Sequence, residues 1–212
     1  MNRVNFLVDG FNLYHSVRRA AWDLNTSTKW LNIKALCSSY VYLAGRGAQL
    51  QNIYYFSALA KHLEASHPDV VVRHLDYIKC LEDTGIGIEL SRFKPKVVKC
   101  GGTCGEKFIK NEEKETDVAI ASKLLEIFHT NECDTAVLIT GDTDLAPAVN
   151  TAYRIFPDKN IFFAFPYKRK NRELSKLAPR SFRIKGLQYA KHQFSDPYQL
   201  SDGTLIPKPE TW

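Results

Sequence analysis

The sequence has little of what marks membrane-spanning or disulfide-stapled proteins. It contains one methionine, nine prolines and five cysteines in 212 residues. No stretch approaches the roughly 18 consecutive apolar residues of a membrane-spanning helix. The odd number of scattered cysteines does not suggest a disulfide framework. The apolar run after Arg3 is broken at Asp9 and Asn12, so we expect no signal peptide and a cytoplasmic protein without a membrane partner.

The composition instead indicates one basic globular domain. A hydrophobic content of 44% in 212 residues is ample for one core and short for two. The net charge of +6 favours a polyanionic partner, and nucleic acid is the natural candidate.

Short apolar or aromatic runs alternate with segments of helical spacing, which predicts an α/β fold with a mainly parallel sheet. The predicted strands are 4–8, 50–57, 87–93, 136–139, 159–165 and an edge strand at 181–184. The predicted helices are 13–21, 32–44, 68–84, 115–129, 145–149 and 174–178. We expect one domain over residues 1–185, with a protruding hairpin at about 94–110, followed by an extended C-terminal arm at 186–212.

Aspartates stand where predicted strands end or a predicted helix begins. Asp9 follows the first strand, and Asp142 and Asp144 follow a later buried strand. Asp117 heads the apolar stripe of a helix, an unusual place for an ionised side chain without a partner. Because the carboxyl ends of parallel strands share one sheet edge, we expect these carboxylates to lie together, with Asn12 able to reach the same space. Turn and capping roles alone would also explain each aspartate.

Clustered carboxylates repel one another, and a divalent cation resolves that conflict. Carboxylate oxygens suit Mg²⁺ or Mn²⁺, which also accept phosphate oxygens and help to activate water for phosphodiester hydrolysis. Glu113 and Glu115, just before the helix of Asp117, are expected to be solvated.

Two basic segments are candidates for binding a polyanion. A dense run that emerges at the same sheet edge as the acids consists of Lys168, Arg169, Lys170 and Arg172. The lysines of the hairpin could bind along a phosphate backbone, or they could simply be the solvated side chains of an exposed hairpin. Cys100 and Cys104 at its tip resemble half a zinc knuckle, but tetrahedral zinc needs four ligands and no second pair is near in sequence.

Three motifs, taken together, resemble those of NYN-domain proteins in the PIN-like nuclease superfamily. They are Val8–Asn12, Lys114–Val118 and Thr140–Pro147, in matching order and spacing. The resemblance covers about residues 3–165 and implies a three-layer α/β/α sandwich with metal-dependent ribonuclease activity, on RNA more than DNA.

The resemblance also implies roles for individual residues. It assigns metal coordination and catalysis to Asp9, Asp117, Asp142 and Asp144. It assigns substrate or supporting contacts to Asn12, Thr140 and Thr143, and the basic run above is our candidate for holding the polyanion.

Other functions remain open at this point. A haloacid-dehalogenase-like phosphatase would need an aspartate where this chain has Phe11, and a Toprim domain would expect glutamate at Asp9. The main alternative is a nucleic-acid-binding or regulatory module without turnover. A homo-oligomer, or a structural protein whose tail docks through Trp212, is also compatible with the sequence.

Overall fold

The computed structural model describes residues 1–101 and 106–212. Within them a sheet runs in the order β4-β3-β2-β1-β5-β6-β7. Its strands are β1 (Asn2–Asp9), β2 (Ala48–Ala58), β3 (Gly87–Lys99), β4 (Lys107–Lys114), β5 (Thr135–Ile139), β6 (Asn160–Phe165) and β7 (Phe182–Arg183). Neighbouring strands are parallel except for β3 and β4. The prediction of a mainly parallel sheet is therefore confirmed.

Helices cover both faces of this sheet. They are α1 (Gly10–Leu24), α2 (Ile33–Ser38), α3 (Pro68–Asp83), α4 (Thr116–His129), α5 (Ala146–Ile155), α6 (Arg172–Leu177) and α7 (Gly186–Lys191). In the described ranges, none of them combines the length and the apolar character needed to cross a membrane.

Alternating side chains of β1 divide the core into two halves. Phe6 and Val8 pack in a cluster with residues of α1, α2 and α3, whereas Leu7 packs in a second cluster with residues of α4 and α5. Successive side chains of a strand point to opposite faces, so one apolar strand joins two cores. The result is the predicted three-layer α/β/α sandwich.

The order of the strands reverses between β1 and β5, which are central neighbours. Val8 of β1 lies opposite Ile139 of β5, so Asp9 and Thr140 follow at the same level of the sheet. In open α/β sheets, ligands bind in the crevice outside the carboxyl ends of strands at such a switch point. The fold therefore places the predicted site at its most favourable position.

The predicted hairpin forms and is longer than expected. Residues 92–99 of β3 pair with β4 in antiparallel register, from Arg92 opposite Lys114 to Lys99 opposite Lys107. Three of its lysines, Lys96, Lys110 and Lys114, form ion pairs with Glu112. Cys100 is a free thiol, and Cys104, with the zinc prediction that depends on it, lies outside the described residues.

The prediction of a single helix over residues 32–44 is wrong in one respect. The α-helix ends at Ser38, and a separate 3-10 helix covers Val41–Ala44. The hydroxyls of Ser38 and Ser39 donate to the carbonyls of Lys34 and Leu36. Such hydroxyls compete with backbone hydrogen bonding, which favours ending the helix there.

The C-terminal segment is also more ordered than the extended arm we predicted. Residues 186–212 contain α7 and a short antiparallel pair, β8 (Tyr198–Gln199) and β9 (Leu205–Ile206). Phe194 and Ile206 are buried, and the Trp30 indole donates to the Ser195 carbonyl at 2.9 Å. The segment folds because its scattered apolar side chains find partners on the core.

Candidate functional site

Asp9 ends β1 and begins α1 as its N-terminal cap. Its carboxylate is 5% exposed and accepts hydrogen bonds from the Asn12 backbone N–H and the Thr140 hydroxyl, each at 2.8 Å. Burial raises the pKa of Asp9 to about 6, although these two hydrogen bonds oppose the shift. The charges of Asp117 and Glu113 raise this pKa further.

Thr140 joins Asp9 to the motif that follows β5. Its hydroxyl donates to Asp9 Oδ2 and accepts from the backbone N–H of Asp142 at 3.1 Å. We predicted that Thr140 contacts substrate, but its side chain is 1% exposed. Thr140 therefore lies beneath the carboxylates and positions them.

Asp142 and Asp144 lie in the turn that leads into α5. Asp142 caps a 3-10 turn, Thr143–Leu145, by accepting from the Asp144 backbone N–H at 3.1 Å. The helix α5 itself begins after Leu145 and has no side-chain cap, so neither aspartate caps it. Asp142 and Thr143 are half-buried and Asp144 is exposed, so all three reach the surface above Thr140.

Asp117 approaches from the first turn of α4 and is half-buried. Burial raises the pKa of Asp117, and the negative charges of Asp142 and Asp144 raise it further. The charge of Asp117 likewise raises the pKa of Asp9. Carboxylates from three separate segments of the chain therefore influence one another electrostatically. That these four aspartates act together as one catalytic site stays a prediction.

Glu113, at the end of β4, is a fifth member of this group and was missed. We expected it to be solvated, but it is half-buried and accepts from the Thr116 hydroxyl at 2.7 Å. Burial raises its pKa, and Asp117 adds to the effect. Glu113 lies in a strand, so helical spacing could not have linked it to Asp117. Glu115, in contrast, is exposed and pairs with Arg92 at 2.8 Å, as expected of a solvated residue.

These five carboxylates are called the acidic site below. Its donors have the chemistry that suits a hard divalent cation: carboxylate oxygens, together with the buried Asn12 Oδ1, which lacks a hydrogen-bond partner in the described residues. However, no three His, Cys, Asp or Glu side chains of residues 1–101 and 106–212 lie close enough together to form a metal-binding group. The types of side chain suit a divalent cation, but their positions do not form a complete coordination sphere.

The basic run after β6 reaches the acidic site through one of its members. The Arg169 carbonyl lies against Gly141, where an added Cβ would be 2.3 Å from that oxygen. The Arg169 charge also reaches His15 of α1, whose pKa is lowered by burial first and then by Arg169 and Arg18. Lys168 instead pairs with Asp23 at 2.8 Å. The remaining two members are exposed.

A cleft of about 510 Å³ opens beside Asp9 and was not predicted. We call it the Phe11 cleft; it lies between α1, the end of β2, α3 and the hairpin, and the C-terminal Trp212 forms part of its wall. Gly10 and Phe11, which line it, directly follow Asp9 in the chain. A ligand of this cleft would therefore lie next to the acidic site.

Comparisons with known proteins support the fold. A solved structure of a protein of unknown function, VPA0982 from Vibrio parahaemolyticus, aligns with a TM-score of 0.50 at 17% identity, covering 87% of this chain and 93% of that one. A similarity at this level of identity concerns the fold alone.

A curated relative carries a different kind of name. The 6-hydroxy-3-succinoylpyridine 3-monooxygenase HspA from Pseudomonas putida is 28% identical over 197 residues, 80% of this chain and 61% of that protein. The chain thus spans about three fifths of the length of the curated relative that it matches.

The family comparison covers nearly the whole sandwich. The model of the NYN domain matches residues 3–184, from the start of β1 to just beyond β7. This range contains the three motifs, which supply four of the five carboxylates of the acidic site. The chain therefore belongs to the NYN domain family, within the PIN-like nuclease superfamily.

Proposed function

We propose that the chain is a metal-dependent ribonuclease that hydrolyses phosphodiester bonds at the acidic site. Membership of the NYN domain family supports nuclease chemistry. The observation that carries the proposal is the buried Asp9, tied through Thr140 to Asp142 and electrostatically coupled to Asp117. Mg²⁺ or Mn²⁺ is the proposed cofactor, and the proposed partner is nucleic acid, RNA before DNA.

The side chains of the site have distinct tasks in this proposal. Asp9, Asp117, Asp142 and Asp144 would hold the cation, with Asn12 Oδ1 as a neutral donor. When bound, the cation supplies positive charge that offsets the carboxylates and the phosphate.

Substrate binding requires positive charge close to these acids. Arg169 is suited to it, because its backbone contacts Gly141 and its charge reaches His15. Lys170, on the same loop, and Arg172, the first residue of α6, are exposed and can neutralise flanking phosphates. Lys168 pairs with Asp23, so we assign it the smaller share of substrate binding.

Cleavage of labelled single-stranded RNA by purified protein, with Mn²⁺, Mg²⁺ or chelator, tests this proposal. We expect cleavage that needs the metal and falls by about a hundredfold or more in Asp142→Asn, because that change removes one charge from a site that acts through charge. The control is Asp158→Asn, an exposed aspartate beside the start of β6, at the opposite sheet edge. A DNA strand of the same sequence tests the preference for RNA.

RNA binding without cleavage, unchanged by chelator and by Asp142→Asn, would contradict the nuclease and leave a non-catalytic nucleic-acid-binding module. The same preparation should be tested for oligomeric state, because a homo-oligomer would change the number of sites for each RNA.

A second candidate function is turnover of a small heteroaromatic acid. HspA is named as a monooxygenase of 6-hydroxy-3-succinoylpyridine, and the Phe11 cleft beside Asp9 is the observation that favours a comparable substrate here. Ring hydroxylation requires O₂ and an electron donor, so the assay supplies both and follows loss of the pyridine by mass spectrometry. Turnover that survives Asp142→Asn would favour this candidate over the nuclease.

A further inference from the structure

The Phe11 cleft has the size and the lining of a site for a small ligand. Its volume of about 510 Å³ lies within the range of roughly 300–1,000 Å³ that is usual for ligand sites. It is lined by six separate parts of the chain: α1, residues 29–33, the end of β2 with the residues after it, α3, the hairpin and Trp212. The cleft adjoins the acidic site and has a different chemical character.

Aromatic rings form much of its wall. Phe11 and Tyr14 of α1 are 46% and 44% exposed, so their rings are available for contact. On the other side, Phe93 of the hairpin packs edge-on against His62 at 4.8 Å. Trp212 packs edge-on against Tyr77 at 5.4 Å. Several rings that line one cleft, two of them exposed, favour a planar aromatic ligand, because ring stacking tolerates many bases and heterocycles.

Positive charge also faces the cleft. Arg18, Lys29 and Arg73 line it, and no aspartate or glutamate does so among the residues that the structure describes. Arg73 pairs with Asp69, whereas Lys29 donates to the Thr211 carbonyl at 3.0 Å. Burial lowers the pKa of Lys29, and the charges of Arg18 and Arg73 lower it further. An anion bound between these cations would relieve their repulsion.

Arg18 connects the two features. Its guanidinium lies over the Tyr14 ring, 5.6 Å from the ring centre. The planar group is thereby held at the cleft wall, and within residues 1–101 and 106–212 its donors have no acceptor, so they can reach an anionic oxygen. One molecule could place a planar ring between the aromatic side chains and an anionic group at Arg18.

We propose that the Phe11 cleft binds a planar heteroaromatic ring that carries an anionic group, the chemistry shared by a nucleoside monophosphate and a pyridine carboxylate. This inference goes beyond both candidate functions, since it concerns where such a ligand binds and not its conversion. A nucleotide of an RNA strand bound here would lie beside Asp9, and a free small molecule would occupy the same walls.

Calorimetric titration in chelator tests the proposal without any contribution from a divalent cation. The probes are two pairs that differ in charge: uridine monophosphate with uridine, and nicotinate with nicotinamide. We expect the anion of at least one pair to bind more tightly than its neutral partner. Arg18→Gln should weaken binding of that anion by about tenfold. This corresponds to roughly 1.4 kcal/mol of binding free energy, as expected for the loss of one charged contact.

Two further variants separate the cleft from general surface charge. Phe11→Ala, which leaves the stacking of Arg18 on Tyr14 in place, should weaken binding of the ring-containing anion and leave inorganic phosphate unaffected. Arg19→Gln is the control, because Arg19 is the next residue of α1 and does not line the cleft. It should bind all probes like the unmodified protein.

A non-cleavable 2′-O-methyl RNA then identifies the source of the ligand. If uridine monophosphate competes with the oligonucleotide and Arg18→Gln weakens both, the cleft holds a nucleotide of the strand. If nicotinate or the mononucleotide binds without competition, the ligand is a free small molecule. Failure of both anions to bind, binding equal to that of the neutral partners, or binding unchanged in Arg18→Gln would overturn the proposal. RNA cleavage is not part of any of these measurements, so the nuclease proposal stands or falls separately.

Discussion

Asp9 combines a structural role with a place in the acidic site. As the cap of α1, it satisfies the Asn12 backbone N–H, and it accepts the Thr140 hydroxyl from the neighbouring strand. Both contacts favour the ionised form, but burial outweighs them and raises the pKa to about 6. The chain thus holds a carboxylate in an environment that disfavours its charge.

Replacing Asp9 with asparagine should stabilise the protein at neutral pH. In the folded chain the pKa of Asp9 is about 6, against 3.8 for an ordinary aspartate, so the folded state holds the proton more tightly. Stability is therefore lost as pH rises from about 4 to 6 and stays lower above that range. In chelator, Asp9→Asn should raise the free energy of unfolding by about 1–3 kcal/mol at pH 7.5, with little difference at pH 4. Urea denaturation at both pH values measures this, and an equal effect at both would contradict it.

At the scale of elements, the sequence was most informative where a pattern is local. The strands that end near Asp9 and Thr140 are rich in apolar residues, because both faces of a parallel sheet are buried, and they were predicted within two residues. Burial of Glu113 was not predicted, since it depends on how the hairpin packs against α4. The inward orientation of the Thr140 hydroxyl was not predicted for the same reason, because its partner, Asp9, is 131 positions away in the sequence.

The close approach of two loops at Gly141 gives a prediction at this scale. An added Cβ would lie 2.3 Å from the Arg169 carbonyl, a backbone atom that cannot move without its loop. We expect Gly141→Ala to lower the free energy of unfolding by about 1–3 kcal/mol. It should also weaken RNA binding, because the basic run is displaced from the acidic site.

The control is Gly101→Ala, where an added Cβ meets no described atom within 4 Å. Thermal or urea denaturation compares the stability of the two variants. Equal stability of the two would mean that the loops of β5 and β6 are not held together through Gly141.

At the scale of the molecule, the folded core extends beyond the range that identifies the family. The NYN match ends at residue 184, whereas Phe194, Ile206 and Trp212 contribute to the cluster beneath α1, α2 and α3. An extended arm was predicted because the segment is rich in proline and lacks helical periodicity. Its few apolar side chains become significant only when their partners on the core, such as Trp30, are known. Trp212 also links this segment to the Phe11 cleft, so the tail contributes to both stability and a candidate site.

The last prediction is that residues 186–212 belong to the folding unit. Phe194 is 5% exposed and contacts the rings of Trp30, Tyr77 and Tyr198 at 4.6–6.3 Å. Phe194→Ala should therefore cost about 3–5 kcal/mol of unfolding free energy, the usual loss for a large buried aromatic side chain. Phe108→Ala is the control, because that ring is 50% exposed on the hairpin, and it should cost little. If Phe194→Ala were as stable as this control, or if a chain ending at residue 185 unfolded with the same free energy as the full chain, the segment would be a separate arm after all.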